Sequence, residues 1–290
     1  MPSYLITGAR GQLGQSFDSI QKEFPQHQLF FASSSEVDIT RSETLRAYYD
    51  KYPFEGIINC AAYTQVDLAE SAPEQAQQRN AEGVKTLIQF AEAKRVKLIH
   101  FSTDFVFDGQ KKGAYLEEDP THPLNNYGQS KREGEIYLAK AHCPTVCFRV
   151  SWLFSPFGTN FVKTLLQASQ SKSVLQVVDN QFGKPTFGID LARAVLRSLE
   201  HPNLFTHKTY HFAQGPQTSW YGFAKKIMEA AESPCIIEPI PSAAYHAPAL
   251  RPHCTSLDTQ RIEKTLSLNI RNWEPALEEC IQQIKKNESL

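Results

Sequence analysis

The chain has 290 residues, with 30 lysines and arginines against 31 aspartates and glutamates and a formal charge of −1. That length accommodates a dinucleotide-binding domain with a smaller companion. The balanced charge, without any Lys/Arg run, excludes nucleic acid and an acidic membrane surface as main partners.

The remaining bulk properties narrow the class further. No stretch approaches the length of a transmembrane helix. The six cysteines (Cys60, Cys143, Cys147, Cys235, Cys254 and Cys280) form no Cys-x-x-Cys pair. They read as free thiols of a reducing compartment, most simply the cytoplasm, and no zinc site is expected.

Residues 4–7 read as a strand. They lead into Gly8-Ala9-Arg10-Gly11-Gln12-Leu13-Gly14, and residues 12–24 read as a helix. Strand, glycine turn and helix make a dinucleotide-binding opening. The first glycine permits the tight turn, the second lets backbone approach a pyrophosphate, and the third lets helix and strand pack closely. The helix N-terminus adds amide N–H groups and the positive end of a dipole. The same turn interrupts the first apolar run too early for a signal peptide. The Gly-x-x-Gly-x-x-Gly spacing points to the short-chain dehydrogenase/reductase superfamily.

Residues 28–32 read as the second strand. An acidic residue at its end would accept hydrogen bonds from the adenosine ribose of NAD. Ser33-Ser34-Ser35 stands there instead, with Glu36 beyond, and Arg10 can approach a 2′-phosphate. The expectation is NADPH, with NADH left open. A helix over 42–51 and a strand over 56–60 follow. After that strand, Asn59-Cys60-Ala61-Ala62-Tyr63-Thr64 leaves room for a ribose and nicotinamide. A helix over 73–94 and a strand over 97–102 end in Ser102-Thr103-Asp104. By itself that triplet is an ordinary helix cap. Beside a tyrosine its threonine gives a second donor to a carbonyl oxygen that gains charge.

The tyrosine is Tyr127, in Tyr127-Gly128-Gln129-Ser130-Lys131 at the start of a helix over 126–141. Tyr127 and Lys131 share one helix face. An ammonium there favours the phenolate, and a phenol so tuned can pass a proton to a carbonyl oxygen. A strand over 145–150 closes the half. The alternation predicts an α/β fold: a Rossmann-type doubly wound parallel sheet over 1–150, with ligands at the carboxyl ends of the strands. Beyond it lie helices over 161–168, 189–199, 220–231 and 275–286, with strands over 174–178 and 210–213. Residues 151–290 are expected to form mainly a smaller substrate-binding α/β lobe, with segments near 174–200 returning to the first domain.

Together these segments resemble the dTDP-4-dehydrorhamnose reductases, a family of extended short-chain dehydrogenase/reductases. The likeness spans most of the chain. It includes the glycine turn, Asp38-Ile39-Thr40, Val66-Asp67-Leu68-Ala69-Glu70, Ser102 to Gly109 and the Tyr127–Lys131 pentad. It continues in Ser151-Trp152, Asn160-Phe161, Asp179 to Gly183, Pro185-Thr186, Thr218 to Tyr221 and Arg251-Pro252. The resemblance implies reduction of the C4 carbonyl of a dTDP-linked 4-keto-6-deoxy sugar, feeding polysaccharide biosynthesis. Thr103, Tyr127 and Lys131 would be the catalytic group. Gly8, Arg10, Gly11, Gln12, Leu13, Gly14, Ser33, Asp38, Ile39, Ala61, Ala62 and Tyr63 would join Tyr127 and Lys131 at the cofactor. Asp104, Phe105, Trp152 and Asn160 would meet the sugar, and Arg251 the diphosphate.

Phe105 stands where the family usually has tyrosine, Leu250 where many members carry arginine, and Asn180 precedes Gln181 where aspartate is usual. Some members bind magnesium at a dimer contact through glutamates, which leaves a metal and a homodimer open here. Glu278 and Glu279 read rather as a solvated helix face. Two other readings compete: a reductase of another dTDP-4-keto sugar, and a binding subunit resembling the regulatory subunit of methionine adenosyltransferase. The intact Thr103, Tyr127 and Lys131 set favours catalysis.

Overall fold

The computed structural model describes residues 1–288, and its centre is a sheet of six parallel strands. These are β1 (Ser3–Thr7), β2 (Gln28–Ala32), β3 (Gly56–Asn59), β4 (Lys97–Thr103), β5 (Thr145–Val150) and β6 (Thr209–Phe212). Their spatial order is β2-β1-β3-β4-β5-β6. The strands are near-continuous apolar runs because helices cover both faces of the sheet. Ile6, Ile58 and Ile99 face one core, while Leu5, Ile57 and Leu98 face the other. Chain order reverses between β1 and β3, which opens a crevice at the carboxyl ends of the strands.

The first core is closed by α1 (Gln12–Ile20), whose Phe17 is fully buried, and the second by α2 (Ser42–Lys51) and α3 (Gly83–Lys94). The α1 helix stops at Ile20 and gives way to a tighter turn over Gln21–Glu23, four residues short of the expected end. The continuous helix expected over 73–94 is broken. A short helix, Pro73–Gln77, widens over Gln78–Glu82 before α3 begins. The widened turn holds Asn80, 1% exposed, whose amide hydrogen-bonds both backbone groups of Tyr63 and the Ser130 hydroxyl. Satisfying those buried groups decides the backbone where helical propensity alone would not.

Beyond β5 the segments divide. The strand Thr209–Phe212 pairs with β5 as the outer strand of the central sheet, and the helix Gly188–Ser198 packs against α1. Val174–Val178 instead pairs with Ile236–Ile240 in a separate two-stranded sheet. The helix thus lies beside the first core, and the strand lies outside the central sheet. The helices Phe161–Ser169 and Trp220–Ala231 pack on that second sheet, and Trp273–Glu288 packs on Trp220–Ala231. No helix among the described residues is long and apolar enough to cross a membrane.

Candidate active site at the carboxyl ends of the strands

Gly8 leaves β1 with φ +64°, and a Cβ there would lie 2.7 Å from the Ala61 amide nitrogen. Only glycine lets the β1 and β3 turns touch. A Cβ on Gly14 would strike the Gly8 carbonyl, so α1 seats directly on the turn. Gly11 caps α1 without any side-chain hydrogen bond, leaving the first N–H groups of the helix directed at the crevice. Gln12 Nε2 is buried without a partner, a donor that a phosphate oxygen would satisfy. Leu13 is packed into the core, so only its backbone can serve a ligand. Beside the turn lies a cleft of about 370 Å³ lined by Ala9, Arg10, Gln15, Asp18, Phe31, Ser33 and Glu36. Uncapped amides, an orphaned amide donor and a cleft bearing arginine and serine fit the adenosine and pyrophosphate of a dinucleotide.

Ala61, Ala62 and Tyr63 follow β3 and are half-buried. Asn59 Oδ1 accepts from the Ala61 amide at 3.2 Å, and Asn80 fixes Tyr63. Asp38 and Ile39, also expected at the cofactor, have partners within the protein. The Asp38 carboxylate accepts from the Thr40 amide and hydroxyl at 3.0 and 2.8 Å, and Ile39 is core, 4% exposed against Gly83.

Thr103 ends β4 and caps the short turn Asp104–Val106. Its hydroxyl accepts from the Phe105 amide at 3.2 Å and donates to Asp104 Oδ1 at 3.1 Å. The helix α4 (Asn126–Ala139) begins at Asn125, which caps the Gly128 amide at 2.7 Å. A Cβ on Gly128 would strike the Phe105 carbonyl. That close approach puts Tyr127 beside Thr103. Burial pushes the Tyr127 phenol up to about 12, with the Thr103 hydroxyl pulling the other way. Lys131, 2% exposed, donates from Nζ to the Phe101 carbonyl at 2.6 Å, and burial lowers it to about 8. The sequence pattern predicted a phenol held near ionisation by this ammonium. In the structure desolvation is the largest influence on the phenol and raises it.

The residues expected at the sugar divide as well. Asp104 is 2% exposed, accepts from the Thr255 hydroxyl as well as Thr103, and is pushed by burial up to about 7. Phe105 meets Tyr127 edge-on at 6.1 Å. Trp152 has φ +47° and stacks on Trp220 at 3.6 Å, with Gly183 leaving room for its indole. Asn160 is spent as a structural group. It caps the helix Phe161–Ser169 and donates to the carbonyls of Ser155 and Phe157 at 2.8 and 3.2 Å. Arg251 grips Asp67 with both terminal nitrogens at 3.0 and 2.8 Å. Asn80, Trp220 and Asp67 were not singled out as site residues, although the motifs of the last two were. Asn80 carries no local signal, because its partners are remote in sequence.

The family model described as RmlD substrate binding domain matches residues 3–286. This chain belongs to that family. It is 36% identical over 286 residues to a dTDP-4-dehydrorhamnose reductase of Aggregatibacter actinomycetemcomitans, covering 96% of this chain and 97% of that protein. A dTDP-4-dehydrorhamnose reductase structure from Clostridium acetobutylicum superposes with TM-score 0.91 at 31% identity, covering 98% of this chain and 99% of that one. One from Bacillus anthracis, in complex with NADP, also gives TM-score 0.91 at 31% identity, over 98% of this chain and 100% of that one. Among the described residues no three His, Cys, Asp or Glu side chains are grouped to hold a metal. Glu279 accepts from Arg271 at 2.7 Å, and Glu278 is exposed.

Proposed function

We propose that the protein reduces the C4 keto group of dTDP-4-dehydro-L-rhamnose to dTDP-L-rhamnose with NADPH. The observation that carries this reading is the convergence of Thr103 and Tyr127 beside the crevice that the Gly8 turn opens. The NADP in the Bacillus anthracis relative supports the cofactor. When bound, the nicotinamide supplies hydride to C4. This chain's residues supply the rest. Tyr127, kept protonated by burial, gives its proton to the C4 oxygen as negative charge develops there. Thr103 is placed to hold the same oxygen. Lys131, once its ammonium turns from the Phe101 carbonyl, can reach the cofactor ribose and steady the phenolate that proton donation leaves. Trp152, backed by Trp220, offers an apolar face to the 6-methyl side of the sugar. Arg251 meets the diphosphate, exchanging Asp67 for it.

Six free thiols support a reducing compartment, the cytoplasm. Purified protein should oxidise NADPH when given dTDP-4-dehydro-L-rhamnose, and the product should be dTDP-L-rhamnose. No oxidation with this sugar, but oxidation with another dTDP-4-keto sugar, would reassign the substrate. A stoichiometric protein partner without turnover on any nucleotide sugar would remove the enzymatic reading.

A further inference from the structure

The head of α4 is fixed from outside the helix. Asn126 is its first residue and Tyr127 its second. The opening N–H groups of a helix have no partner within it. Asn125 meets one of them locally, through its side chain on the Gly128 amide. The Asn126 amide is met by a residue 56 positions away. One carboxylate oxygen of Glu70 accepts from that amide at 2.8 Å, and the other accepts from Asn126 Nδ2 at 3.0 Å. Two bonds to one residue fix its direction as well as its distance. A negative charge there also complements the positive end of the helix.

The short helix Leu68–Ser71 that carries Glu70 is itself anchored. Its Ala69 is fully buried. Asp67, just before it, accepts from the Ala249 amide and from both terminal nitrogens of Arg251. On the other side of Tyr127, Gly128 lies so close to Phe105 that a Cβ would sit 2.3 Å from the Phe105 carbonyl oxygen. Tyr127 is thus bracketed along the chain by a two-point grip and a close backbone contact.

We propose that Glu70 is a positioning residue for the reduction, acting through Asn126 to hold the Tyr127 phenol against the carbonyl oxygen it protonates. The inference rests on the reading of Tyr127 as proton donor and adds to it. Glu70 bonds the residue next to Tyr127 and not the phenol, so its loss shifts the donor without removing it. The effect therefore falls on the chemical step.

The test measures NADPH oxidation with dTDP-4-dehydro-L-rhamnose by the full chain and by Glu70→Ala and Glu70→Gln, each with Tyr127 intact and in a Tyr127→Phe background. In Glu70→Ala, kcat is expected to fall about ten- to a hundredfold, because a misplacement near 1 Å is enough for that. Both KM values should stay within about twofold of wild type, since binding contacts are untouched. In the Tyr127→Phe background the same change should have no further effect, because residues acting as a unit are not additive. Glutamine can accept from the amide and, with the Asn126 side chain turned over, donate to it, so Glu70→Gln should recover most of the rate. An equal loss in both backgrounds would overturn the role given to Glu70 and leave Tyr127 standing. So would a rise in KM at constant kcat, an unchanged kcat, or a glutamine variant no better than alanine. Wild-type turnover in Tyr127→Phe, or no turnover by the wild type, would remove the underlying reading and this one with it. Should Glu70→Ala fail to fold, Asn126→Ala keeps the backbone bond, drops the side-chain bond and carries the same comparison between backgrounds.

Discussion

At the scale of single residues, the site is governed by desolvation. Tyr127 is expected to be the proton donor, and Tyr127→Phe removes one oxygen and little volume. Turnover should fall about 10²- to 10⁴-fold, with NADPH affinity by fluorescence titration close to wild type. Equal turnover would end the assignment. Asp104 gives a pH signature. The Thr103 hydroxyl donates to Asp104, so an ionised carboxylate competes with the phenol and the substrate oxygen for its one proton. The folded carboxyl titrates near 7, above its ordinary 3.8. It is protonated below that pH and frees Thr103, so kcat/KM should decline as pH rises through about 7. In Asp104→Asn this decline should vanish. Linkage fixes the sign for stability too. The folded state holds this proton and the unfolded chain has lost it between about pH 4 and pH 7, so stability falls across that window, by on the order of 4 kcal/mol. Urea titrations of wild type and Asp104→Asn at the two ends would measure it.

At the scale of elements, the position of α4 depends on a buried ion pair. Arg149 on β5 holds Glu135 on α4 through two hydrogen bonds of 2.9 and 2.8 Å, both side chains being almost fully buried. Arg149 also donates to the Glu117 carbonyl at 3.1 Å, lies within 3.3 Å of His211 Nε2 on β6, and sits 5.0 Å over the Phe107 ring. One guanidinium thereby joins β5, β6 and the turn of α4 next to Lys131. Glu135→Gln would leave the arginine buried with its charge unpaired, and should cost about 3–5 kcal/mol in chemical denaturation. A cost under about 1 kcal/mol would mean the pair is merely tolerated. Local pattern had given the bounds of β2, α2 and β5 correctly, because each is a short apolar or amphipathic run between turn residues. It had not given the widening at Gln78–Glu82, whose cause is Asn80 reaching Tyr63 and Ser130. It read 210–213 only as an isolated short strand, since pairing with β5 is a contact across 60 residues.

At the scale of the whole molecule, the C-terminal segment is tied across the crevice. Arg251 grips Asp67 after β3, and Asn125 at the head of α4 donates to the Leu250 carbonyl at 2.8 Å. Arg251→Ala removes a half-exposed pair, so stability should change by less than about 1 kcal/mol. The KM for the sugar nucleotide should nevertheless rise about tenfold or more, because charge-assisted hydrogen bonds to phosphate are lost. NADPH affinity should stay near wild type, and a parallel rise in both constants would show that the arginine serves the fold instead.

Local order along the chain determined the dinucleotide opening and the set proposed for catalysis. Gly8 to Gly14, Thr103, Tyr127 and Lys131 are each legible because turn chemistry and helical spacing act over a few residues. Which groups those side chains bond was decided only in three dimensions. Asp38 turns to Thr40, Ile39 enters the core, Asn160 caps a helix, Arg251 pairs with Asp67 and Glu36 accepts from Ser33. Charges and amides must find partners wherever packing delivers them, and packing joins residues that the sequence holds far apart.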